Sequence, residues 1–205
     1  MTTPDPLQVH KFWFADSLDG VEELSLQKSN WFKGPPSFDN KIRARFGTLP
    51  TSAVHGELEH WHHDRISTLC LILVLDQFPR NLYRGLARAF EFDALGLKTA
   101  LSALDRGFHC ELHPVEAVFM YLPLEHAENP KLQDRSVALF ESLNDRAPAG
   151  TEDYFRSAAE SAQLHRDIIL RFGRFPHRNL ALGRRSTVEE QHFLDSGGET
   201  FGVPQ

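Results

Sequence analysis

Lysine is scarce in this 205-residue chain: 6 residues, against 16 arginines. Tyrosine and tryptophan number 3 each, methionine and cysteine 2 each, while phenylalanine reaches 16. With a formal net charge of −6 and no continuous basic run, there is no broad positive field, which argues against nucleic acid as a partner. Two cysteines, Cys70 and Cys110, are too few for a disulfide scaffold and form no Cys-x-x-Cys. Both lie in apolar helical sequence and read as buried thiols of a reducing compartment. The longest strongly apolar run, Leu69 to Leu75, is far short of the roughly 20 residues that span a bilayer, so no membrane partner is expected. The N-terminus lacks the charged start and apolar stretch of a secretory signal, so a cytoplasmic location is the expectation.

Strand signals are also missing: there are no alternating Val/Ile/Thr runs and no Asn-Gly or Asp-Gly turns. Helical spacing is widespread instead. Val9, Phe12 and Trp13 share a face, as do Phe38, Ile42 and Phe46. Helices are predicted over Glu22–Phe32, Phe38–Phe46 with Ser37 as cap, Asp93–Arg106 with Asp93 as cap, Pro114–Glu128 and Leu132–Leu143. Arg65–Phe78 is apolar around most of its circumference and reads as the central buried helix, stopped by Pro79. Glu152–Phe172 reads as a long helix, and a capping box at Ser186–Glu190 opens the last one. The expectation is one all-α domain, a single-domain array of roughly eight to ten helices, with its core at about 7–195 and a loose tail at 196–205.

The polar residues gather around an internal echo. Residues 76–82 read DQFPRNL and residues 173–180 read GRFPHRNL, each after a strongly apolar helix. The residue before a proline is pushed out of the helical region, so the chain is expected to turn at Phe78 and Phe175. Asn81 and Asn179 are each placed to cap the next turn. Asp76 shares an apolar face with Ile72 and Leu73, so its carboxylate must be paired or hydrogen-bonded there. A buried Asp–Arg pair tying helix ends together would satisfy it, and so would a ligand site.

The candidate acid–base groups are Asp76, Glu125, His126, Glu128, His165 and His177. The candidate ligand-binding groups are Gln77, Arg80, Asn81, Arg84, Arg171, Arg174, Arg178, Asn179 and Arg184. In one hypothesis Arg80, Arg174 and Arg178 clamp a small anionic molecule, where the planar guanidinium suits carboxylate or phosphate. Asp76 or Glu125 is then a general base, with His165 or His177 as acid or orienting partner, in hydrolytic or proton-transfer chemistry. In the alternative, the helical array is a protein-interaction scaffold and the charged motifs are structural. Placement discriminates the two: a closed pocket for the first, an open groove for the second. No strict 34-residue repeat is visible, which weakens the scaffold.

Three Glu-x-x-His pairs occur, Glu57/His60, Glu59/His62 and Glu189/His192, but chance alone gives about one in a chain of this composition, and all three sit in polar surroundings, so no metal is expected. No P-loop, nucleophile elbow or dinucleotide fingerprint is present, and no cofactor is expected.

Three segments resemble the bacterial DUF924 family: Leu75 to Asn81, Tyr121 to Glu128, and His165 through Arg171-Phe172-Gly173-Arg174-Phe175-Pro176-His177-Arg178-Asn179 to Arg184. Phe12-Trp13-Phe14, Trp31-Phe32, the Ser186–Glu190 segment and Phe193-Leu194 match it too, so the resemblance spans about residues 7–195. It implies an all-α, tetratricopeptide-like array and carries over no reaction.

Overall fold

A computed structural model describes residues 5–32 and 34–203. Among them the chain forms ten α-helices and no strand, within the expected eight to ten. They are α1 (Pro6–Phe14), α2 (Val21–Trp31), α3 (Pro36–Phe46), α4 (Leu49–Val54), α5 (residues 65–82), α6 (Asp93–Asp105), α7 (Pro114–Glu125), α8 (Pro130–Ser142), α9 (Glu152–Phe172) and α10 (Val188–Asp195). Short 3-10 turns connect several of them, at Glu59–His62, Ala87–Phe90 and Pro176–Arg178 among others.

Helix α5 is the hub: α1, α3 and α6 pack against it, α7 packs on both α6 and α8, and α9 lies along α8. Every residue from Leu69 to Leu75 is buried. Asp64 caps its start by accepting from Ile66 N and Ser67 N, both at 3.0 Å. The phenylalanine surplus accounts for much of the packing around it. The Trp13 ring meets Trp31, Phe38, Phe78 and Phe119 at centroid distances of 5.5–6.3 Å. Each such buried aromatic contributes on the order of 1.5–3 kcal/mol by leaving water.

Pro79 does not stop α5, contrary to expectation. The helix is α-helical over Arg65–Ile72, widens to a π-helical turn over Leu73–Gln77, and resumes over Phe78–Leu82. A proline at 79 has no N–H to donate and its ring crowds the carbonyl four residues back. In the π turn, Phe78 N–H bonds instead to Leu73 O, five residues back, and Phe78 stays helical (φ −59°, ψ −41°). The chain therefore crosses the proline inside the helix, and the π turn presents Asp76 and Gln77 beside Arg80 and Asn81.

Other boundaries differ for local reasons. Pro36, preset for a first turn, opens α3 in place of a Ser37 cap. Asp93 stands inside α6 rather than capping it, because Phe92 takes the cap position. Pro123 is accommodated within α7. Gly107, in the left-handed conformation, ends the path of α6, so Cys110 falls beyond the helix and is exposed rather than buried. Cys70 is buried, which pushes its thiol pKa far up. The α9 helix and the Thr187–Glu190 capping box of α10 lie where the sequence put them.

Candidate functional site

A cavity of about 590 Å³ opens between α5, α7 and α9. Gln77, Arg80 and Asn81 line it from α5, Glu125 and His126 from the end of α7, and His165 from α9. Arg84, His177 and Arg178 add to the polar wall, and Lys28, Tyr154, Ser157 and Glu160 line the cavity as well. Asp76 sits directly behind, 1% exposed.

Two carboxylate–imidazole pairs meet at this wall. Asp76 Oδ1 is 2.8 Å from His126 Nδ1, and its Oδ2 accepts from Gln77 Nε2 at 2.6 Å. Burial opposes ionisation of Asp76, but Arg80 and His126 outweigh it and hold the carboxyl well below the usual range. Arg80 also reaches back to Asp76 O at 2.9 Å, so one guanidinium steadies both the carboxylate and the backbone of the π turn.

The second pair is Glu125 and His165, with Oε1 and Nδ1 2.8 Å apart. Glu125 Oε1 also accepts from Ser161 Oγ at 2.9 Å. Its carboxyl is likewise held low: burial raises it, and the neighbouring imidazoles and Ser161 more than compensate.

The partners fix the tautomers. His165 Nδ1 faces both Glu125 and the backbone carbonyl of Ser161, at 2.9 Å, and two acceptors require a donor, so Nδ1 carries the hydrogen. His126 Nδ1 faces an ionised carboxylate and carries one for the same reason. In a neutral ring oriented this way Nε2 is the basic nitrogen, the arrangement that a carboxylate imposes on a general-base histidine. Burial, and then Arg80, lower the His126 pKa, so its ring is neutral at pH 7. The two imidazole centroids are 6.1 Å apart.

Asp93, unrecognised in the sequence, organises the cationic side. It binds Arg80 through two bonds of 2.8 and 3.1 Å and also receives Arg178 Nη1 at 3.3 Å. Two guanidinium groups thus share one carboxylate. Arg178 has the weaker share, and its side chain is 7% exposed. Its Nη2 donates to His126 O at 3.0 Å, while its buried Nε lacks an acceptor. The guanidinium is 4.5 Å from the Phe175 ring centroid and 4.8 Å from that of Phe90. Burial pulls its pKa down to about 10, and Arg80 adds to the effect. Arg84 and Asn81 are engaged by Asp39, at 3.1 and 2.8 Å respectively.

The other predicted residues form a separate knot off the cavity wall. Arg184 binds Glu128 at 2.7 and 3.0 Å, and Glu128 accepts from Phe175 N at 2.8 Å. Arg174 binds Glu190 at 2.6 and 2.8 Å, Asn179 donates to Glu190 and Ser186, and Arg171 pairs with Glu189. So Glu128, Arg171, Arg174, Asn179 and Arg184 fasten the 173–190 segment rather than line the cavity. Asn179 ties side chains together instead of capping a turn. Arg174 holds the Glu190 carboxyl down to about 2. His177 does reach the cavity, but burial, and then Arg178, lower its pKa to about 2, so it is a neutral imidazole rather than a proton-donating acid at pH 7.

The segment expected to be loose folds over the site. Phe201 stacks on His165 at 3.7 Å between centroids and contacts Phe175 and His177, because an apolar ring there covers the exposed face of an imidazole. It does so at φ +52°, in the left-handed region that bulky residues rarely adopt. Residues 204 and 205 of that tail lie outside the described residues. Ser161 was missed as well, although it stands four residues before His165 on the same face. Among the described residues, no three or more His, Cys, Asp or Glu side chains are grouped to hold a metal ion. No helix there is long and apolar enough to cross a membrane.

Comparison with known proteins agrees with this architecture. The model of the family described as "Bacterial protein of unknown function (DUF924)" matches residues 9–198. The solved structure of a protein of unknown function, ATU0120 from Agrobacterium tumefaciens, is similar over 94% of this chain and 97% of its own, at 35% identity and a TM-score of 0.76. No curated protein matches. With the family match covering nearly the whole chain, from α1 to the tail, this protein belongs to the bacterial DUF924 family.

Proposed function

We propose that the cavity is an acid–base site for a small anionic ligand, with the anion held at Arg178. The observation that carries this reading is the convergence of two carboxylate-oriented imidazoles and a half-neutralised buried arginine on one cavity wall. A site made only for stability has no need to give Arg178 the weaker share of Asp93, since an under-compensated buried cation is costly. A ligand carboxylate or phosphate at its terminal nitrogens would complete the pairing.

In this reading His126, neutral at pH 7, takes a proton at Nε2 from the substrate or from a water, and Asp76 steadies the imidazolium that forms. His165, oriented by Glu125 and Ser161, stands close enough to serve the opposite proton transfer through the ligand. Arg80, saturated by Asp93, positions Asp76 rather than binding the anion. The enclosed placement of these groups favours a small-molecule pocket over a docking scaffold.

Thermal-shift titration of the wild type with acetate, benzoate and inorganic phosphate tests the reading. At least one anion should raise the melting temperature of the wild type and of Arg174→Gln, and fail to raise that of Arg178→Gln. Equal shifts in both variants contradict it.

A further inference from the structure

The shape of the cavity says more about the ligand than its charge does. Tyr154, Ala158, Ser161 and His165 of α9 all line it, spaced four, three and four residues apart, and therefore stand in one row. Eleven residues of helix at about 1.5 Å each make that row about 16 Å long. On α7, Val118, Leu122 and Glu125 form a second row, joined to the first where Glu125 meets Ser161 and His165. The carboxylate–imidazole pairs gather at this junction. Beyond it the wall includes Val118, Leu122, Phe140 and Trp31, all buried, with Lys28, Tyr154, Ser157 and Glu160 also lining the cavity. At the rim stand two exposed large hydrophobics, Phe32 at 40% and Leu164 at 42%.

We propose that this slot takes an amphiphile with one anionic head and an unbranched apolar chain, an alkanoate or its close analogue. The head lies at Arg178 beside His126, and the chain runs along the α9 row toward Trp31. This rests on the placement of the anion at Arg178 argued above. A short anion would leave water against four buried apolar side chains, whereas a chain removes that surface from water. The volume of about 590 Å³ is that of a drug-sized ligand rather than of a small ion.

The head is a carboxylate rather than a dianionic phosphate. Three carboxylates, Asp76, Asp93 and Glu125, surround the junction, where the guanidinium groups of Arg80 and Arg178 pair with Asp76 and Asp93. Against these carboxylates a monoanionic head at Arg178 is repelled less than a dianion. Exposed apolar residues at the rim suit entry of the chain.

Calorimetric titration of the full chain with butanoate, octanoate, dodecanoate, dodecanol and inorganic phosphate tests the proposal. One-to-one binding should strengthen by up to about fourfold per added methylene from butanoate toward octanoate, levelling once the slot is full. Dodecanol and phosphate should each bind at least tenfold more weakly than dodecanoate. Ala158→Phe, which blocks the row, should weaken dodecanoate at least tenfold and leave butanoate unchanged, the latter also showing that the variant is folded. Arg178→Gln should weaken every acid. Equal affinity for butanoate and dodecanoate, lost in Arg178→Gln, overturns the slot while keeping the anion site. Equal affinity for dodecanoate and dodecanol, unaffected by Arg178→Gln, overturns the anion site itself. Absence of saturable binding by any acid overturns both.

Discussion

At the first Phe-Pro step, Phe78 is helical and the proline is carried inside α5 by a π turn; at the second, Phe175 is extended (φ −87°, ψ 109°) and the chain leaves α9 through left-handed Gly173. The surrounding charges differ in the same way. Around the second step, Arg174 and Arg184 each own a carboxylate, bound through two hydrogen bonds. At the cavity wall, where Arg80 of the first step meets Arg178 of the second, the two share Asp93, and the carboxylates Asp76 and Glu125 are turned toward histidines instead. Similar residues thus build a fully paired fastener in one place and an incompletely paired wall in the other. In the proposed reading, pairing rather than the motif separates structural from functional charge.

The largest expected effect comes from removing the shared carboxylate. Asp93→Ala strands Arg178 and leaves Arg80 with Asp76 alone, and should cost about 3–5 kcal/mol in urea unfolding, because breaking a buried pair leaves an uncompensated charge. A cost below that of Arg184→Gln would mean that the cavity wall is no more charge-strained than the knot. Arg184→Gln itself, which loses charged bonds to Glu128 and a bond to Phe175 O, should cost about 1.5–3 kcal/mol.

The two regions should also fail at different pH. His126 and His177 have lowered pKa values in the folded chain, so below about pH 6.5 the unfolded chain binds protons that the folded one does not. Their contribution is complete above that pH and is lost progressively as pH falls. Glu190 in the knot, lowered to about 2, contributes above about pH 4.5 and loses that only below it. Unfolding free energies between pH 7 and pH 5 should therefore fall for the wild type and fall less for His177→Asn. Equal slopes would contradict the assignment of the buried neutral imidazole.

The smallest effect is spectroscopic. Nitrogen chemical shifts of His126 at pH 7 should report a neutral ring protonated at Nδ1, and in Asp76→Asn that tautomer should lose its dominance. A charged ring, or an Nε2–H tautomer in the wild type, would break the proposed chemistry while leaving the fold intact.

Helices were legible where periodicity and caps agree. The long α9 face and the Thr187–Glu190 box need no tertiary information, and Phe78, Trp13 and Phe119 announce a core by composition. The convergence of Glu125, His126, His165 and Arg178 was visible only as polar residues at the ends of apolar helices. Two features could not be read. The π turn depends on how α5 is held by its neighbours on several sides, which overrides the local rule at Pro79. Asp93 lies 13 residues beyond Arg80 with no periodic relation, and an Asp near a helix start reads as a cap until the partner arginines are seen in space.

The central claim is that Arg178 serves binding and Arg184 serves stability, and one paired measurement tests it: unfolding free energy and butanoate affinity in Arg178→Met and Arg184→Gln. Replacing an under-compensated buried charge with an apolar chain is often neutral, so Arg178→Met should stay within about 1 kcal/mol of the wild type and lose butanoate binding at least tenfold. Arg184→Gln should be the less stable of the two and bind butanoate as the wild type does. A destabilised Arg178→Met that still binds, beside an unaffected Arg184→Gln, would contradict the account.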